Sequence, residues 1–599
     1  MTLRGDDKMD QAIDTGIPAA PPSNPGHPSG SGESLRRKGA SRLNKAAPII
    51  AVLVALLWAA YSWTQRSPFV ASWDEADFVL ALDRFDLLAM QPHFPGYPYF
   101  VMGAMALRRF VGDPARAYES LNIVLGAASV YPIWRLARRR LTPAWSLLVV
   151  LLILTSPYLW LQTVRPMSEA AGIAVLWWYL WCWRRAMERR TWGRMTAALF
   201  VFGLLMGVRL SFAPFGLGAC WLLAAAWADW RGERRRLWPK LVIFAAIAAG
   251  CQLLWVAGLA LSEGGVRGFL QLAVAFTEGH FSEWGGGVAS AGDELSFAAR
   301  LLRFAGDNVL WTGMFARSTA LFAAAAALLL AAVLSAGARP RPPRDSASAG
   351  ARLAPRAAAW LRRSGLPGAL AALAGAYGAW ALLAQNIDKP RHITPLIGVM
   401  WLLLALLCAA APSARPAAPQ SPAAPGDDAA APQRPPAPAD PGAGEAPPRG
   451  ERIRRALRTA GALIAAGVVA LQAARGGALV ARQADEPPAV YQLGQGLREL
   501  AAAHPDNRFV VYTYEETRVL DYLHVPVSNR RIETYDYFIA DVQADPGATI
   551  LLTDHVLKGF EAQVGSLAGQ VKPIAAYDSD PLFDPVYGHI ALYEWVGEH

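Results

Sequence analysis

Long apolar runs recur along this chain of 599 residues and predict a series of membrane-spanning helices. A helix needs about 20 predominantly apolar residues to cross roughly 30 Å of hydrocarbon. Several runs are shorter, so those helices are expected to be tilted, broken or extended by flanking residues. About eleven spans are predicted, at Pro48–Trp63, Leu121–Trp134, Ala144–Leu161, Ala170–Trp183, Met195–Leu210, Phe212–Trp227, Leu241–Leu261, Val309–Leu334, Leu366–Leu383, Ile393–Ala411 and Thr459–Ala474.

From about Asp485 onward the pattern changes to shorter segments of helical and strand-like character, which alternate and favour a small α/β domain. The chain is therefore predicted to be an α-helical polytopic membrane protein with a small C-terminal α/β soluble domain. The sequence assigns no chemistry to that domain, which is expected to cap the membrane part or to help bind an acceptor. Helices are predicted at Val490–Ala503, Glu516–Tyr522 and His555–Val564, and strands at Arg508–Tyr512, Ala548–Leu552 and His589–Trp595.

The polar segments between the apolar runs complete the predicted domain organisation. The first 45 residues are predicted to be a Pro/Ser/Gly-rich tail rather than a signal peptide, because charged residues are scattered through them and the apolar run that follows is too long for an h-region. The predicted segments are a disordered cytoplasmic tail at 1–45, a transmembrane domain at 46–411 with an outside loop at 64–120 and a cytoplasmic linker at 338–364, a disordered Pro/Ala cytoplasmic linker at 412–452, a last span at 453–480 and an extracytoplasmic α/β domain at 485–599.

Composition supports this class of protein. The chain is 54% hydrophobic and only 17% charged, with a mean hydropathy of +0.22, a balance typical of a multi-span membrane protein. Its net charge of +10 reflects loop charges that set membrane topology, and no nucleic-acid partner is indicated. All four cysteines lie inside apolar runs, so neither a disulfide framework nor a thiolate metal site is predicted.

Arginine and lysine residues indicate the orientation of the spans. They cluster before the first span and after the second, fourth and sixth, on alternate loops that the positive-inside rule assigns to the cytoplasm. The N-terminus is therefore predicted to be cytoplasmic and the C-terminal domain extracytoplasmic, in the inner (plasma) membrane. The other face carries an acidic loop near Asp74, the Thr163–Pro166 turn, a Gly-rich loop at Trp284–Gly287 and the Asp388–His392 segment.

The acidic loop after the first span is the strongest functional signal. Asp74, Glu75 and Asp77 follow Trp73, and the stiff segment Pro92–Pro98 comes next along the chain. Partial desolvation beside a bilayer would raise the pKa of a carboxyl group toward working pH, which suits removal of a proton from a hydroxyl group. The alternative interpretation is a set of solvated loop acids.

Further ionisable residues lie at the outer ends of predicted spans. Arg165, Glu169 and Arg209 carry charges that cost at least about 2.5 kcal/mol at membrane depth and usually face a cavity or a partner. The alternative is snorkelling to the interface, or an Arg165–Glu169 pair that only joins two helices. Arg391 and His392, before the tenth span, offer a phosphate site because arginine has forked donors; the alternative role is that of an interfacial anchor.

Together these motifs resemble the GT-C superfamily of integral membrane glycosyltransferases. Within it the chain is most similar to aminoarabinose-transferase-like and protein O-mannosyltransferase-like bacterial proteins. The late loop of that group usually has Arg-Tyr where this chain has Arg-His. The motifs that carry the resemblance are Asp74–Glu75, the PHFPGYP segment Pro92–Pro98, the Gly203-x-x-x-Gly207-x-Arg209-x-Ser211-x-x-Pro214 span, Arg391-His392-x-x-Pro395 and the outside soluble domain.

The resemblance implies a sugar donor on a polyprenyl phosphate and a lipid, glycan or protein acceptor that meets it on the outside face. Asp74 would be the catalytic base, with Glu75 supporting it, in a single inverting displacement. Some relatives use a divalent cation and others do not, so the sequence leaves a metal open and predicts no certain cofactor. The substrate-binding candidates are Asp77, His93, Tyr97, Arg165, Glu169, Arg209, Arg391 and His392.

Two other classes of protein compete with this interpretation. A transporter or flippase of envelope lipid or saccharide would use the same outside acids as a substrate or proton site, but it predicts charges near the middle of spans. A non-catalytic scaffold would use the C-terminal domain for envelope interactions. The position of the charges at the outer ends of spans favours the enzyme.

The predicted topology is testable with single cysteines in a cysteine-free background. We expect an impermeant thiol reagent to label cysteines in the Asp74 loop, the Gly285 loop and the C-terminal domain from outside, and not a cysteine that replaces Ser421 in the Pro/Ala tract. Outside labelling at Ser421→Cys would mean that a span has been miscounted.

Overall fold

The computed structural model describes residues 30–284, 286–288, 295–337, 353–409, 449–584 and 586–597. Most of the predicted tail, the Arg/Pro-rich part of the predicted linker at 338–364, nearly all of the Pro/Ala tract with Ser421, and Gly285 lie outside the described residues. The chain divides into two compact units, Met1–Ala46 and Ala47–His599.

Helices dominate the described residues, and five strands lie near the C-terminus. The α-helices are α1 (Gly30–Thr64), α2 (Trp73–Ala81), α3 (Pro98–Val111), α4 (Pro114–Ala137), α5 (Pro143–Leu154), α6 (Pro157–Thr163), α7 (Ser168–Glu188), α8 (Trp192–Val208), α9 (Leu217–Trp230), α10 (Arg234–Ser262), α11 (Val266–Gly279), α12 (Phe297–Leu302), α13 (Thr319–Gly337), α14 (Leu353–Ala384), α15 (Thr394–Ala409), α16 (Arg449–Asp485), α17 (Ala489–Ala503), α18 (Glu516–Tyr522), α19 (Tyr535–Gln543) and α20 (Asp554–Val564). Short 3₁₀ or π helices cover Leu210–Gly216, His280–Trp284, Arg303–Met314, Pro390–Ile393 and Ala568–Gln570. The strands are β1 (Arg508–Thr513), β2 (Ser528–Arg531), β3 (Ala548–Thr553), β4 (Val571–Asp578) and β5 (His589–Trp595).

The apolar helices confirm the predicted class of membrane protein. Among the described residues, 7 helices are long and apolar enough to cross a membrane, or 8 if α5 and α6, bent by 58° at their junction, form one broken span. Helices also lie at the other predicted spans, among them the shorter apolar helix α8. The predicted span Val309–Leu334 is wrong as a single helix, because non-helical residues separate the π-helical turns of Arg303–Met314 from α13.

Close packing of α8 explains the predicted glycine motif. A Cβ atom at Gly203 would lie 2.6 Å from the carbonyl oxygen of Cys251 in α10, and one at Gly207 would lie 2.4 Å from the ring of Tyr99 in α3. Small residues let helices approach at this distance. The motif therefore fixes the end of α8, directly before Arg209.

The predicted outside loop at 64–120 is largely helical. It contains α2, α3 and the start of α4, and the segment between α2 and α3 includes Gly96 at φ 82°. A Cβ atom on Gly96 would meet methyl groups of Leu87 and Leu259 at 2.9 Å. Glycine is required here both for the left-handed backbone and for the close approach to α10.

The C-terminal residues form the predicted α/β domain. Its sheet has the order β2-β1-β3-β5-β4, with β1 parallel to β2 and β3, and β5 antiparallel to β3 and β4. One apolar layer packs α17 and α18 against one face of the sheet, and a second packs α19 and α20 against the other. The three predicted strands and three predicted helices of this domain are present.

The sequence analysis missed β2, α19 and β4. Strand β2 has only four residues, all polar, and β4 is mostly exposed and contains Pro573, so neither shows the apolar pattern of a buried strand. The domain contacts the membrane part directly: the Val70 N–H donates to the Tyr491 hydroxyl at 2.9 Å, and Arg482 pairs with Asp580 at 3.0 Å.

Candidate active site

A cavity that is partly open to solvent lies between the membrane domain and the C-terminal domain. Both domains supply charged and aromatic side chains to its walls. Ligand sites occur preferentially at such interfaces between domains. The residues that line it are Ser72, Trp73, Asp74, Tyr158, Arg165, Lys389, Pro390, Arg391, Glu515, Asp584, Val586 and Tyr587.

Asp74 and Arg391 both belong to the membrane domain, and they contact each other in the lining of this cavity. Asp74 lies in the first turn of α2, where the helix dipole favours a negative charge. Arg391 lies in the short helix Pro390–Ile393 that begins the span of α15, and its Nη2 contacts Asp74 Oδ2. The structure thus joins the predicted base and the predicted phosphate ligand, which are 317 positions apart in the sequence.

Arg391 also reaches Glu169, which is fully buried in the first turn of α7. Its Nε lies 3.3 Å from Glu169 Oε1, and the same oxygen is 2.9 Å from Nη2 of Arg209. The Arg209 guanidinium also donates to Ser168 Oγ at 2.7 Å. Because α8 is fixed by its glycines, Arg209 is held where it neutralises Glu169 and leaves Arg391 available to Asp74.

Glu75 is buried away from the cavity and is occupied by other groups. One of its oxygens accepts from Arg165 Nε and Nη2 at 2.6 Å, and the other accepts from the Ala71 N–H at 2.5 Å. The predicted alternative of an Arg165–Glu169 pair is wrong, because each residue pairs elsewhere. Glu75 orients Arg165, whose Nη1 also donates to the carbonyl of Phe583 in the C-terminal domain.

Asp77, His93 and Tyr97 form a second network beside Asp74. Asp77 Oδ2 lies 3.3 Å from His93 Nδ1, and His93 Nε2 is 2.9 Å from the Tyr97 hydroxyl. The other oxygen of the fully buried Asp77 accepts from Arg518 Nε at 2.9 Å. Arg518 comes from α18, so the C-terminal domain reaches the helix that carries the candidate base.

His392 lies outside the cavity lining. Its carbonyl accepts from the hydroxyl of Tyr377 in α14, and its ring Nδ1 is buried without a hydrogen-bond partner among the described residues. Among the described residues, His392 therefore contacts α14 and does not line the cavity.

The pKa values of Asp74 and Asp77, both in α2, shift in opposite directions. Burial acts to raise the pKa of Asp74, but the positive charges of Arg391, His93 and Lys389 outweigh it and hold that pKa well below its usual range. Burial raises the pKa of Asp77, against the opposing effect of His93 and Arg518. The expected upward shift at Asp74 is therefore wrong for this structure, in which the carboxyl group is ionised.

Asp74, Asp77 and His93 also offer a ligand set for a cation. One ligand atom from each lies within 4.8 Å of the others, and two carboxylates with an imidazole suit several divalent ions. Arg391 and Arg518 occupy the remaining oxygens of the two acids, so a bound ion would share these carboxylates with two guanidinium groups.

The residues from the C-terminal domain were missed by the sequence analysis. Glu515, Asp584 and Tyr587 line the cavity, and Glu515 pairs with Lys389 of the membrane domain at 3.3 Å. They are separated along the chain and belong to no motif, so their only signal was the prediction that this domain lies on the same face as Asp74. Tyr158, at the start of α6, was missed because it lies inside an apolar run.

The Arg518–Asp77 pair should matter for stability. We expect Arg518→Ala to lower the free energy of unfolding of the purified protein by about 3 kcal/mol, because it removes the guanidinium partner of one oxygen of the buried Asp77 carboxylate. The matched control is Arg508→Ala, since Arg508 is 61% exposed and its surface pair should contribute less than about 1 kcal/mol. Adding Asp77→Asn to Arg518→Ala should recover part of the loss. Equal effects of Arg518→Ala and Arg508→Ala would contradict a structural role for the pair.

Part of the chain matches a known protein family. Residues 91–255 match the family described as dolichyl-phosphate-mannose-protein mannosyltransferase. No curated protein matches the chain.

Several solved structures of membrane proteins are similar over most of this chain. ArnT from Cupriavidus metallidurans bound to undecaprenyl phosphate is 13% identical, with 91% of this chain and 97% of that chain covered and a TM-score of 0.46. Arabinofuranosyltransferase AftD from Mycobacteria is 14% identical, with 92% of this chain and 40% of that chain covered and a TM-score of 0.41. The archaeal oligosaccharyltransferase AglB from Archaeoglobus fulgidus is 13% identical, with 92% and 75% covered and a TM-score of 0.40.

The family match includes the loop with His93 and Tyr97 and the helix that precedes Arg209. It supports the predicted resemblance to membrane glycosyltransferases of the GT-C type over this part of the chain.

Proposed function

We propose that this enzyme transfers a sugar from a polyprenyl-phosphate donor to a hydroxyl group of a lipid, glycan or protein acceptor on the extracytoplasmic face of the inner membrane. The observation that carries the proposal is the pairing of Asp74 with Arg391 at the mouth of one cavity. A base and a phosphate ligand are the two groups that this reaction needs side by side. The name of the matching family, which specifies a sugar on a polyprenyl phosphate, supports the class of donor.

The cationic side chains of the cavity account for binding of the donor phosphate. Arg391 and Lys389 stand at the start of an apolar span, at the depth where a lipid phosphate would lie while its isoprenoid tail remains in hydrocarbon. Arg165 lines the same cavity and is held in place by Glu75. Arginine offers forked donors that match phosphate oxygens, and such charge-assisted contacts are strong.

Asp74 acts as the base in this mechanism. Its carboxylate takes the proton of the acceptor hydroxyl while the hydroxyl oxygen attacks the anomeric carbon from the side opposite the phosphate. The bond between that carbon and the phosphate oxygen breaks, its electron pair stays on the phosphate, and Arg391 with Arg165 stabilises the new charge. The configuration at the anomeric carbon inverts in this single displacement.

In the proposed mechanism, donor binding also raises the pKa of Asp74. In the free enzyme Arg391 and its neighbours hold the pKa of Asp74 low, which makes it a weak proton acceptor. A phosphate that binds to Arg391 places negative charge beside Asp74, which weakens the depressing effect and raises the affinity of Asp74 for a proton. The proposed base therefore gains strength when the donor is bound.

A divalent cation would be held by Asp74, Asp77 and His93 if the enzyme uses one. Bound there, it would supply positive charge near the leaving phosphate. It would also compete with the acceptor proton for the Asp74 carboxylate, and the steps above therefore depend only on the side chains of the chain itself.

Replacing the base tests the mechanism. We expect Asp74→Asn to keep the fold and to reduce sugar transfer by about 100-fold to 10,000-fold, because an amide cannot take the proton. The matched control is Asp83→Asn, which changes an acid of the same segment that is 63% exposed and should retain activity. Turnover like that of the wild type in purified Asp74→Asn would exclude Asp74 as the base. A dead Glu75→Gln variant beside an active Asp74→Asn would assign the role to Glu75.

Arg391 is tested with donor-concentration kinetics. Lysine keeps the charge at this position but loses the forked donors, so we expect Arg391→Lys to weaken donor use and Arg391→Ala to weaken it more. A change mainly in KM indicates a contact that is equal in the ground and transition states, and a change mainly in kcat indicates one that strengthens as the phosphate leaves.

Arg303→Ala provides the control for Arg391, because Arg303 pairs with Asp388 near the same loop and is 47% exposed. Its kinetics should match the wild type. Unaltered kinetics for Arg391→Ala would return Arg391 to the role of an interfacial anchor and leave Arg165 and Arg209 as the phosphate candidates.

A further inference from the structure

We propose that the C-terminal domain binds the sugar ring of the donor, through Glu515 and Tyr587, and so determines which sugar is transferred. This inference rests on the proposed function and deepens it. It assigns to the soluble domain a direct part in substrate recognition, where the sequence alone suggested a cap or an acceptor-binding module.

The first observation is the geometry of the cavity. Asp74 and Arg391 of the membrane domain line the same cavity as Glu515, Asp584 and Tyr587 of the C-terminal domain. In the proposed reaction the anomeric carbon must lie between the phosphate on Arg391 and the acceptor beside Asp74. The rest of the sugar ring then extends toward the side chains that the C-terminal domain adds to the lining of the cavity.

The second observation is a set of buried polar atoms without partners on α2. The Oγ of Ser72 and the Nε1 of Trp73 are buried and have no hydrogen-bond partner among the described residues, although both residues line the cavity. Ser72 occupies the N-cap position of α2, yet its hydroxyl does not cap the helix. Buried polar groups are normally hydrogen-bonded, so these two atoms are unused hydrogen-bonding groups beside the cavity.

The third observation concerns the charges near Glu515. Its carboxylate lies 3.3 Å from the ammonium group of Lys389, and its negative charge also acts on the nearby phenol of Tyr587. A carboxylate, an ammonium group and a phenol together offer acceptors and donors to adjacent hydroxyl groups. That combination suits a polyhydroxylated ring better than the phosphate, which the forked donors of Arg391 and Arg165 already match.

Tyr587 is held in position by groups of its own domain. Its ring contacts the ring of His555 edge to face at 4.8 Å between centroids, and His555 in turn hydrogen-bonds to the buried Glu516. The backbone N–H of Tyr587 donates to Asp584 Oδ1 at 2.9 Å. A recognition group fixed in this way loses little conformational entropy when a ligand binds.

Binding to two lipids separates sugar recognition from phosphate recognition. The probes are polyprenyl phosphate and a panel of polyprenyl-phosphate sugars, measured with the purified full-length protein. The ratio of the two Kd values gives the contribution of the sugar. We expect at least one sugar to tighten binding to the wild type, and we expect Glu515→Gln and Tyr587→Phe each to reduce that gain by about fivefold to tenfold, the effect of losing one hydrogen-bond partner. Binding of polyprenyl phosphate itself should stay within about twofold for Tyr587→Phe, and Glu515→Gln should not weaken it, because this change removes a negative charge beside Lys389.

Glu499→Gln and Tyr537→Phe are the matched controls, since both residues are exposed on the same domain and Tyr537 is 75% exposed. Both should keep the full sugar contribution. The inference is overturned if no sugar tightens binding to the wild type, if both Glu515→Gln and Tyr587→Phe keep the gain, or if they weaken the two lipids equally. Because binding is read without turnover, a wild type that binds the sugar but transfers none would reject the proposed function and leave the sugar site intact.

Discussion

The candidate active site depends on the pairing of charges that are buried where the membrane part meets the soluble domain. Arg391 lies between Asp74 and Glu169, and Arg209 supplies the second positive charge that Glu169 needs. A buried charge without a partner costs several kcal/mol, so none of these groups can move alone without penalty. The alternation of charges therefore fixes the mutual position of α2, α7, the end of α8 and the start of α15.

The same rule joins the two domains. Arg165 bridges Glu75 to a carbonyl of the soluble domain, and Arg518 of that domain neutralises the buried Asp77. Each contact crosses the boundary beside the helix that carries Asp74. Docking of the soluble domain and alignment of the candidate base are thus parts of one packing arrangement, which explains why this domain forms a wall of the cavity.

Sequence patterns predicted the elements of the fold and the individual charges, but not their partners. Apolar runs have a length set by the bilayer, and charges at span ends stand out against them, so the helices and Asp74, Arg165, Glu169 and Arg391 could be found. Pairing depends on the tertiary fold: Arg518 and Asp77 are 441 positions apart, and local spacing wrongly suggested Glu169 for Arg165. The direction of the Asp74 pKa was missed for the same reason, because Arg391 reverses the effect of burial.

The charge network also gives the proposed reaction an order of events. As long as Arg391 pairs with Asp74, the base is ionised but weak, and a hydroxyl group beside it keeps its proton. A donor phosphate competes for the same guanidinium, and Arg209 allows this because it keeps Glu169 neutralised. In the proposed mechanism the acceptor is therefore activated only when the donor is in place. Such coupling prevents activation of the acceptor while the donor site is empty. It requires only that Arg391 exchange Asp74 for the donor phosphate as its partner.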